Sequence, residues 1–202
     1  MDIGQPLGDV VPGARGAVLA TLAQLSVAVT VRTLARHARV SPQGALTVVN
    51  DLAAAGLVHV EPAGPSLMVS LNREHLAAEP VIALASLRAR LVERLTAELD
   101  GWDDLAGAWL FGSTARGDGD RHSDIDLLVV ATGALDRAPW AERVGRLADE
   151  VRRWTGNQVQ LVEHTRRTFA DLVRQDNPLV AALRSDGIPL TAKTRQLLRR
   201  VA

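Results

Sequence analysis

Ala108-Trp109-Leu110-Phe111-Gly112-Ser113-Thr114-Ala115-Arg116-Gly117, followed by Ser123-Asp124-Ile125-Asp126-Leu127-Leu128-Val129-Val130, is the stretch around which the chain is organised. The apolar run Ala108–Phe111 has strand length and stops at a glycine. Ile125–Val130 is a second, β-branched-rich run. Side chains alternate along a strand, so Asp124 and Asp126 share one face. Two adjacent carboxylates repel unless a positive charge lies between them. An oxygen-only pair suits a hard divalent cation, Mg²⁺ or Mn²⁺. Gly112 lets the backbone approach a ligand closely, and the N–H groups after it, with the Ser113 hydroxyl, suit a phosphate. A phosphate cradle beside a metal-binding carboxylate pair points to phosphoryl or nucleotidyl transfer.

Gly112 to Gly117, read on through Ser123-Asp124-Ile125-Asp126-Leu127, resembles the signature of the polymerase-beta-type nucleotidyltransferase superfamily, most closely its small bacterial "minimal" members. The resemblance implies an α/β fold with a short mixed sheet flanked by helices. It implies that Gly112 and Ser113 hold nucleotide phosphates and that Asp124 and Asp126 hold Mg²⁺. Arg116 and Ser123 join the nucleotide-binding candidates. Arg116 either contacts phosphate or closes the loop, or else pairs with Asp118 or Asp120 on the surface. Ser123 caps or braces the loop before the carboxylates.

The superfamily's next strand normally supplies a third carboxylate in an apolar-Asp-apolar-apolar pattern. Here the matching residues are Val159-Gln160-Leu161-Val162, so Gln160 occupies that position. Glutamine offers a carbonyl oxygen but is neither a base nor a negative charge. Glu163 is a weak substitute, because an odd step along a strand turns it to the opposite face.

The 202 residues allow one large or two small domains, and a hydrophobic fraction of 47% predicts a packed core. The formal net charge is zero, which disfavours a strongly electrostatic nucleic-acid binder without excluding a local basic patch. There is no cysteine, so disulfides, thiolate metal sites and cysteine nucleophiles are excluded. Residues 1–6 lack the pattern of a signal peptide, and no apolar run has bilayer-spanning length. The expectation is a cytoplasmic protein without a membrane partner.

Upstream, residues 1–12 are expected to form a flexible tail. Helical spacing then covers Ala14 to Leu25 and Thr30 to Ala38, with Thr30 as N-cap. Ser41-Pro42 opens a third helix that ends at Gly56. Its inner stripe is Ala45, Leu46, Val49, Leu52 and Ala53, and its exposed face is Gln43, Gly44, Thr47, Val48 and Asp51. Leu57–Val60 and Leu67–Leu71 flank a turn-rich segment at 61–66 and read as a hairpin. This order resembles a winged helix-turn-helix domain, which implies a third helix in the DNA major groove. That helix carries no Arg or Lys. The DNA-binding candidates are therefore Arg32, Arg36, Arg39, Gln43 and Thr47, with double-stranded DNA as the partner. Use of the module for protein contact remains open.

Pro80 to Leu99 reads as one uninterrupted helix, either a connector or a homodimer interface. The expected organisation is a tail at 1–12, the winged-helix domain at 13–78, a linker helix at 79–100 and a nucleotidyltransferase-like domain at 101–202. Downstream, helices are expected near 140–154, 167–174, 179–184 and 191–200, with a strand at 158–163. The basic end, Lys193, Arg195, Arg199 and Arg200, reads as a solvated helix face. Two functions follow. One is Mg²⁺- or Mn²⁺-dependent transfer of a nucleoside monophosphate from a nucleoside triphosphate to a hydroxyl acceptor. The other is a DNA-binding transcriptional regulator that senses nucleotide without turning it over. The sequence is silent on acceptor, base preference and operator.

Overall fold

The computed structural model describes residues 1–199, and the chain divides into two compact units. One comprises Asp2 and Gly4–Leu87, the other Met1, Ile3 and the chain from Arg88 onward.

The first unit opens with α1 (Pro6–Val10) and α2 (Ala14–Gln24). Residues 1–12 therefore differ from the expected loose tail. Asp2 Oδ1 accepts from the Gly4 and Gln5 amides at 2.8 and 2.9 Å, and Leu7 is buried in the core of this unit. One well-placed leucine gives a short Gly- and Pro-rich segment something to bury.

β1 (Val29–Thr30), α3 (Val31–His37) and α4 (Pro42–Ala54) follow. Thr30 and Ser41 cap the two helices, accepting from the Thr33 and Gly44 amides at 3.1 and 3.0 Å, and Pro42 occupies the first turn, where its missing N–H costs nothing. Val48, expected on the exposed face of α4, is buried with Ala45, Val49 and Leu52. The apolar stripe of a core helix is wide enough to take it in.

β2 (Val58–Ala63) and β3 (Ser66–Leu71) pair antiparallel, and β1 joins them in the order β1-β3-β2. Pairing runs to Ala63↔Ser66, so the turn is tighter than the expected 61–66 loop. Pro62 fits because β2 is an edge strand, where a missing N–H is tolerated.

The expected single helix over 79–100 is two helices, α5 (Ala78–Ala85) and α6 (Leu87–Asp100). Ser86 separates them. Its hydroxyl donates to the Ile82 carbonyl at 2.8 Å, a back-bond that disturbs regular helical geometry.

The second unit contains β4 (Leu105–Phe111), α7 (Gly112–Arg116), β5 (Ile125–Ala131), α8 (Ala138–Thr155), β6 (Val159–Thr165), α9 (Arg166–Arg174), α10 (Pro178–Ser185), β7 (Ile188–Pro189) and α11 (Ala192–Arg199). The sheet order is β6-β5-β4-β7. β5 and β6 are parallel, joined through α8, while β4 runs antiparallel to β5 and β7. The sheet is therefore mixed and flanked by helices. One face carries Ala108, Leu110, Ile125, Leu127 and Val129 against Leu95, Trp140 and Leu147. The other carries Trp109, Leu128 and Val130 against Phe169, Val180 and Leu183. Burial on both faces explains why β5 is continuously apolar from Leu127 to Ala131. β7 has only two residues, too short for a periodic signal, and was not anticipated. Lys193 and Arg195 are exposed; Arg200 and the side chain of Arg199 lie outside the described residues. No described helix is long and apolar enough to cross a membrane.

Candidate active site

β4 ends at Phe111, paired with Asp126 of β5, and the chain turns at once through Gly112 into α7. Gly112 has φ +69°, and an added Cβ would overlap Asp126 Oδ2. Glycine is required here twice over, for the backbone conformation and for the space the carboxylate occupies. The two central sequence features thus meet in one contact.

Asp124 is exposed at the end of the loop, and Asp126 is half-buried. Burial first, then the neighbouring charge of Asp124, pushes the Asp126 carboxyl above its ordinary value, while Arg116 opposes the shift. Burial is thus the larger cause, and the Asp124 charge adds to it.

The 117–123 loop folds over α7. Gly117 and Asp118 donate to the Ser113 carbonyl at 2.8 and 3.2 Å. A Cβ on Gly119 would stand 3.1 Å from Ser113 Oγ and 3.2 Å from Ser123 Oγ, so both hydroxyls flank the same backbone. Ser123 braces the loop, accepting from the Asp120 amide at 2.8 Å and donating to Asp120 Oδ1 at 3.1 Å. The His122 amide, then the Ser123 hydroxyl, holds the Asp120 carboxyl below its ordinary value. Arg116 Nε donates to Asp118 Oδ2 at 3.0 Å, the surface pairing named above as its alternative.

Gln160 is exposed and in register with Asp126 on the parallel strand. Glu163 is paired in register with Val129, which places it on the opposite face. There its Oε2 accepts from Trp140 Nε1 at 2.6 Å. The structure brings Gly112, Ser113, Asp124, Asp126 and Gln160 to one end of the strands and gives Glu163 a different partner.

Three further residues belong to this region. Thr114, 4% exposed, donates its hydroxyl to the Asp124 carbonyl at 3.4 Å. Asn157, 5% exposed, donates from Nδ2 to the Ser123 carbonyl at 2.9 Å. The Arg88 guanidinium packs on the Gly117 backbone, in the space a Cβ there would take. Asn157 lies between the helix expected near 140–154 and the strand expected at 158–163. Its partner lies 34 residues away, and no local pattern encodes that.

In the first unit, Arg32 and Gln43 line one groove of about 520 Å³ with Thr30, Pro42, Leu46 and the hairpin tip Pro65-Ser66-Leu67. Arg36, Arg39 and Thr47 are exposed but do not line it. The Thr47 hydroxyl donates to the Gln43 carbonyl at 3.0 Å. Asp51 is paired with Arg15 at 2.7 Å.

Residues 90–184 match the nucleotidyltransferase domain family. The match spans both carboxylates, the Gly112 turn and Gln160. No curated protein matches the chain. Two solved structures are similar to part of it. One, a mutant of the toxin–antitoxin MntA-HpeT, has 22% identity over 55% of this chain and 82% of that chain, with a TM-score of 0.38. The other, a toxin–antitoxin with AMP-PNP, has 24% identity over the same shares, with a TM-score of 0.36. The family match at residues 90–184 lies within the second unit.

Proposed function

We propose that this domain transfers a nucleoside monophosphate from a nucleoside triphosphate to a hydroxyl acceptor. The observation that carries this reading is the close approach of Gly112 to Asp126, which supports a phosphate-binding turn beside a metal-binding carboxylate. The donor set fits Mg²⁺ or Mn²⁺. It is oxygen only, it contains a carboxylate destabilised by burial and then by its neighbour, and it leaves positions for water and phosphate, as Mg²⁺ prefers. Among the described residues there is no group of three or more His, Cys, Asp or Glu that would form a closed metal cage. When bound, the cation would neutralise phosphate charge and polarise phosphoryl oxygens as a Lewis acid.

Gly112 and Ser113 hold the β- and γ-phosphates, and Arg116 exchanges Asp118 for a phosphate oxygen. The acceptor oxygen forms a bond to the α-phosphorus, the bond to the bridging oxygen breaks, and pyrophosphate leaves. Gln160 orients the acceptor through its amide but takes no proton, so the hydroxyl proton passes to water. Positioning and charge neutralisation supply most of the rate in such chemistry. Supplying the nucleotide with label in the α- or the γ-phosphate tests the reaction type. Nucleotidyl transfer puts α-label on the acceptor and γ-label in pyrophosphate. γ-Label on the acceptor would instead mean phosphoryl transfer and overturn the reading.

A second reading is favoured by Gln160 and by the groove that holds Arg32 and Gln43. The order of β1, α3, α4, β2 and β3 supports a winged helix-turn-helix module, and the nucleotide then acts as a signal for DNA binding. Gel shifts on the promoter region of the protein's own gene, with and without nucleotide, test it. No shift at low salt in either state removes it.

A further inference from the structure

Asp124 is the more exposed of the two carboxylates and has Asp126 for a neighbour, so its own charge favours moving away. Three hydrogen bonds hold the backbone on either side of it. The peptide plane before it, which sets φ, is held at the Ser123 carbonyl by Asn157 Nδ2 at 2.9 Å. The plane after it, which sets ψ, is held at both ends. Its carbonyl accepts from the Thr114 hydroxyl at 3.4 Å, and its N–H, that of Ile125, donates to the Gln158 carbonyl at 2.8 Å. With φ and ψ fixed, the direction of the Asp124 Cα–Cβ bond is fixed.

Both side chains that do this are almost fully buried, and each comes from an element other than β5. Thr114 sits in α7, within the phosphate turn. Asn157 follows the last turn of α8 and is itself anchored, its N–H donating to Thr155 Oγ1 at 3.1 Å while the Thr155 hydroxyl donates to the Val151 carbonyl at 2.8 Å. A carbonyl oxygen only accepts, so the amide nitrogen of Asn157 must face Ser123. The side-chain direction of Asp124 is thus referenced to the phosphate turn on one side and to α8 on the other.

We infer that Asn157 and Thr114 are positioning residues that preorganise Asp124 as a cation ligand by pinning the two peptide planes flanking it. This rests on the transfer reading above. Residues that orient metal ligands from outside typically cost about 10- to 100-fold in metal affinity or activity when replaced.

The test uses the purified full chain and Mn²⁺ as the probe, with free Mn²⁺ followed by electron paramagnetic resonance and folding followed by thermal melts. Asn157→Asp keeps the shape and the oxygen that accepts from the Met1 ammonium at 3.0 Å but turns an acceptor toward the Ser123 carbonyl; Thr114→Val removes the hydroxyl and Thr114→Ser restores it. Asp124→Asn is the control. The expected result is Mn²⁺ binding weakened about 10-fold or more in Asn157→Asp. A smaller loss follows in Thr114→Val, because its bond is longer, and Thr114→Ser lies within about twofold of the parent. Hydrogen exchange at the Ile125 amide should accelerate in the two weakened variants without metal. Mn²⁺ affinity within twofold of the parent in folded Asn157→Asp and Thr114→Val overturns the inference, even if their melting points fall, because a merely structural role moves only the latter. Should Asn157→Asp not fold, the Thr114→Val and Thr114→Ser pair decides alone. A parent that binds Mn²⁺ no better than Asp124→Asn overturns the transfer reading itself and removes this inference with it.

Discussion

Gln160 stands in register with Asp126 on the adjacent parallel strand; in the proposed transfer this is where a proton acceptor for the attacking hydroxyl would be needed. On that proposal the site binds and orients, and the acceptor loses its proton to water. Gln160→Asp is therefore expected to raise the turnover number, by about 10-fold or more given the usual size of general-base contributions. The parent's rate should rise with pH through the neutral range, as hydroxide takes the base's place, and the variant's dependence should flatten. Rate–pH profiles of the two proteins check this; a variant slower than the parent, with the same slope, contradicts it.

Asp126 links stability to pH and, in the proposed function, to metal. Its folded-state pKa is raised by burial and by Asp124. A carboxyl raised in the folded state binds its proton more tightly when folded, so its contribution stabilises at low pH and is lost as pH rises through the raised value. Without divalent ions, Asp126→Asn should melt higher than the parent near pH 7, and the difference should shrink as pH falls toward the ordinary value of 3.8. Mn²⁺ should raise the parent's midpoint and leave the variant's in place. Thermal melts across that range, with and without Mn²⁺, measure both effects.

Gly112→Ala combines a left-handed backbone penalty of roughly 1–2 kcal/mol with displacement of the Asp126 carboxylate, whose Oδ2 occupies the space of the new methyl. Loss of Mn²⁺ binding should exceed the loss of stability, and titration of the folded variant separates the two.

Much of this site is legible in the sequence because it depends on local patterns. The Gly112 turn ends an apolar run, Asp124 and Asp126 differ by one strand period, and the odd step from Gln160 to Glu163 already turns Glu163 away. What could not be read depends on distant parts of the chain meeting. The hold of Asn157 on Ser123, of Thr114 on the Asp124 carbonyl and the seat of Arg88 on Gly117 are contacts of this kind. Likewise Val48 follows a polar pattern but is covered by other elements, and Ser86 interrupts a helix that composition alone favours. Leu7 is ordered by a core that residues 1–12 do not themselves contain.

Glu163 offers a control for the same geometry. Its carboxylate accepts from the buried Trp140 indole, so Glu163→Ala should destabilise the domain by about 1–3 kcal/mol through an unpaired donor. Transfer per folded molecule should be unchanged, and Glu163→Gln should recover most of the stability. Denaturant unfolding beside activity assays distinguishes this from a metal-binding role, which would lower Mn²⁺ affinity in both variants.

The groove in the first unit gives a separate expectation. If it receives DNA, Arg32→Ala should weaken binding to all sequences alike and reduce the salt dependence by about one ion. Gln43→Ala should act on selected sequences only. Binding isotherms at several salt concentrations report both slopes.

The most direct measurement of the central claim is transfer of label from each α-labelled nucleoside triphosphate, with Mg²⁺ or Mn²⁺, to a hydroxyl-bearing acceptor supplied from cell extract. Parent protein and Asp126→Asn are compared in parallel. Label on an acceptor with the parent, and none with the variant, is the predicted result. No transfer by the parent with any of the nucleotides, while nucleotide and metal still bind, would contradict it and leave this domain as a sensor.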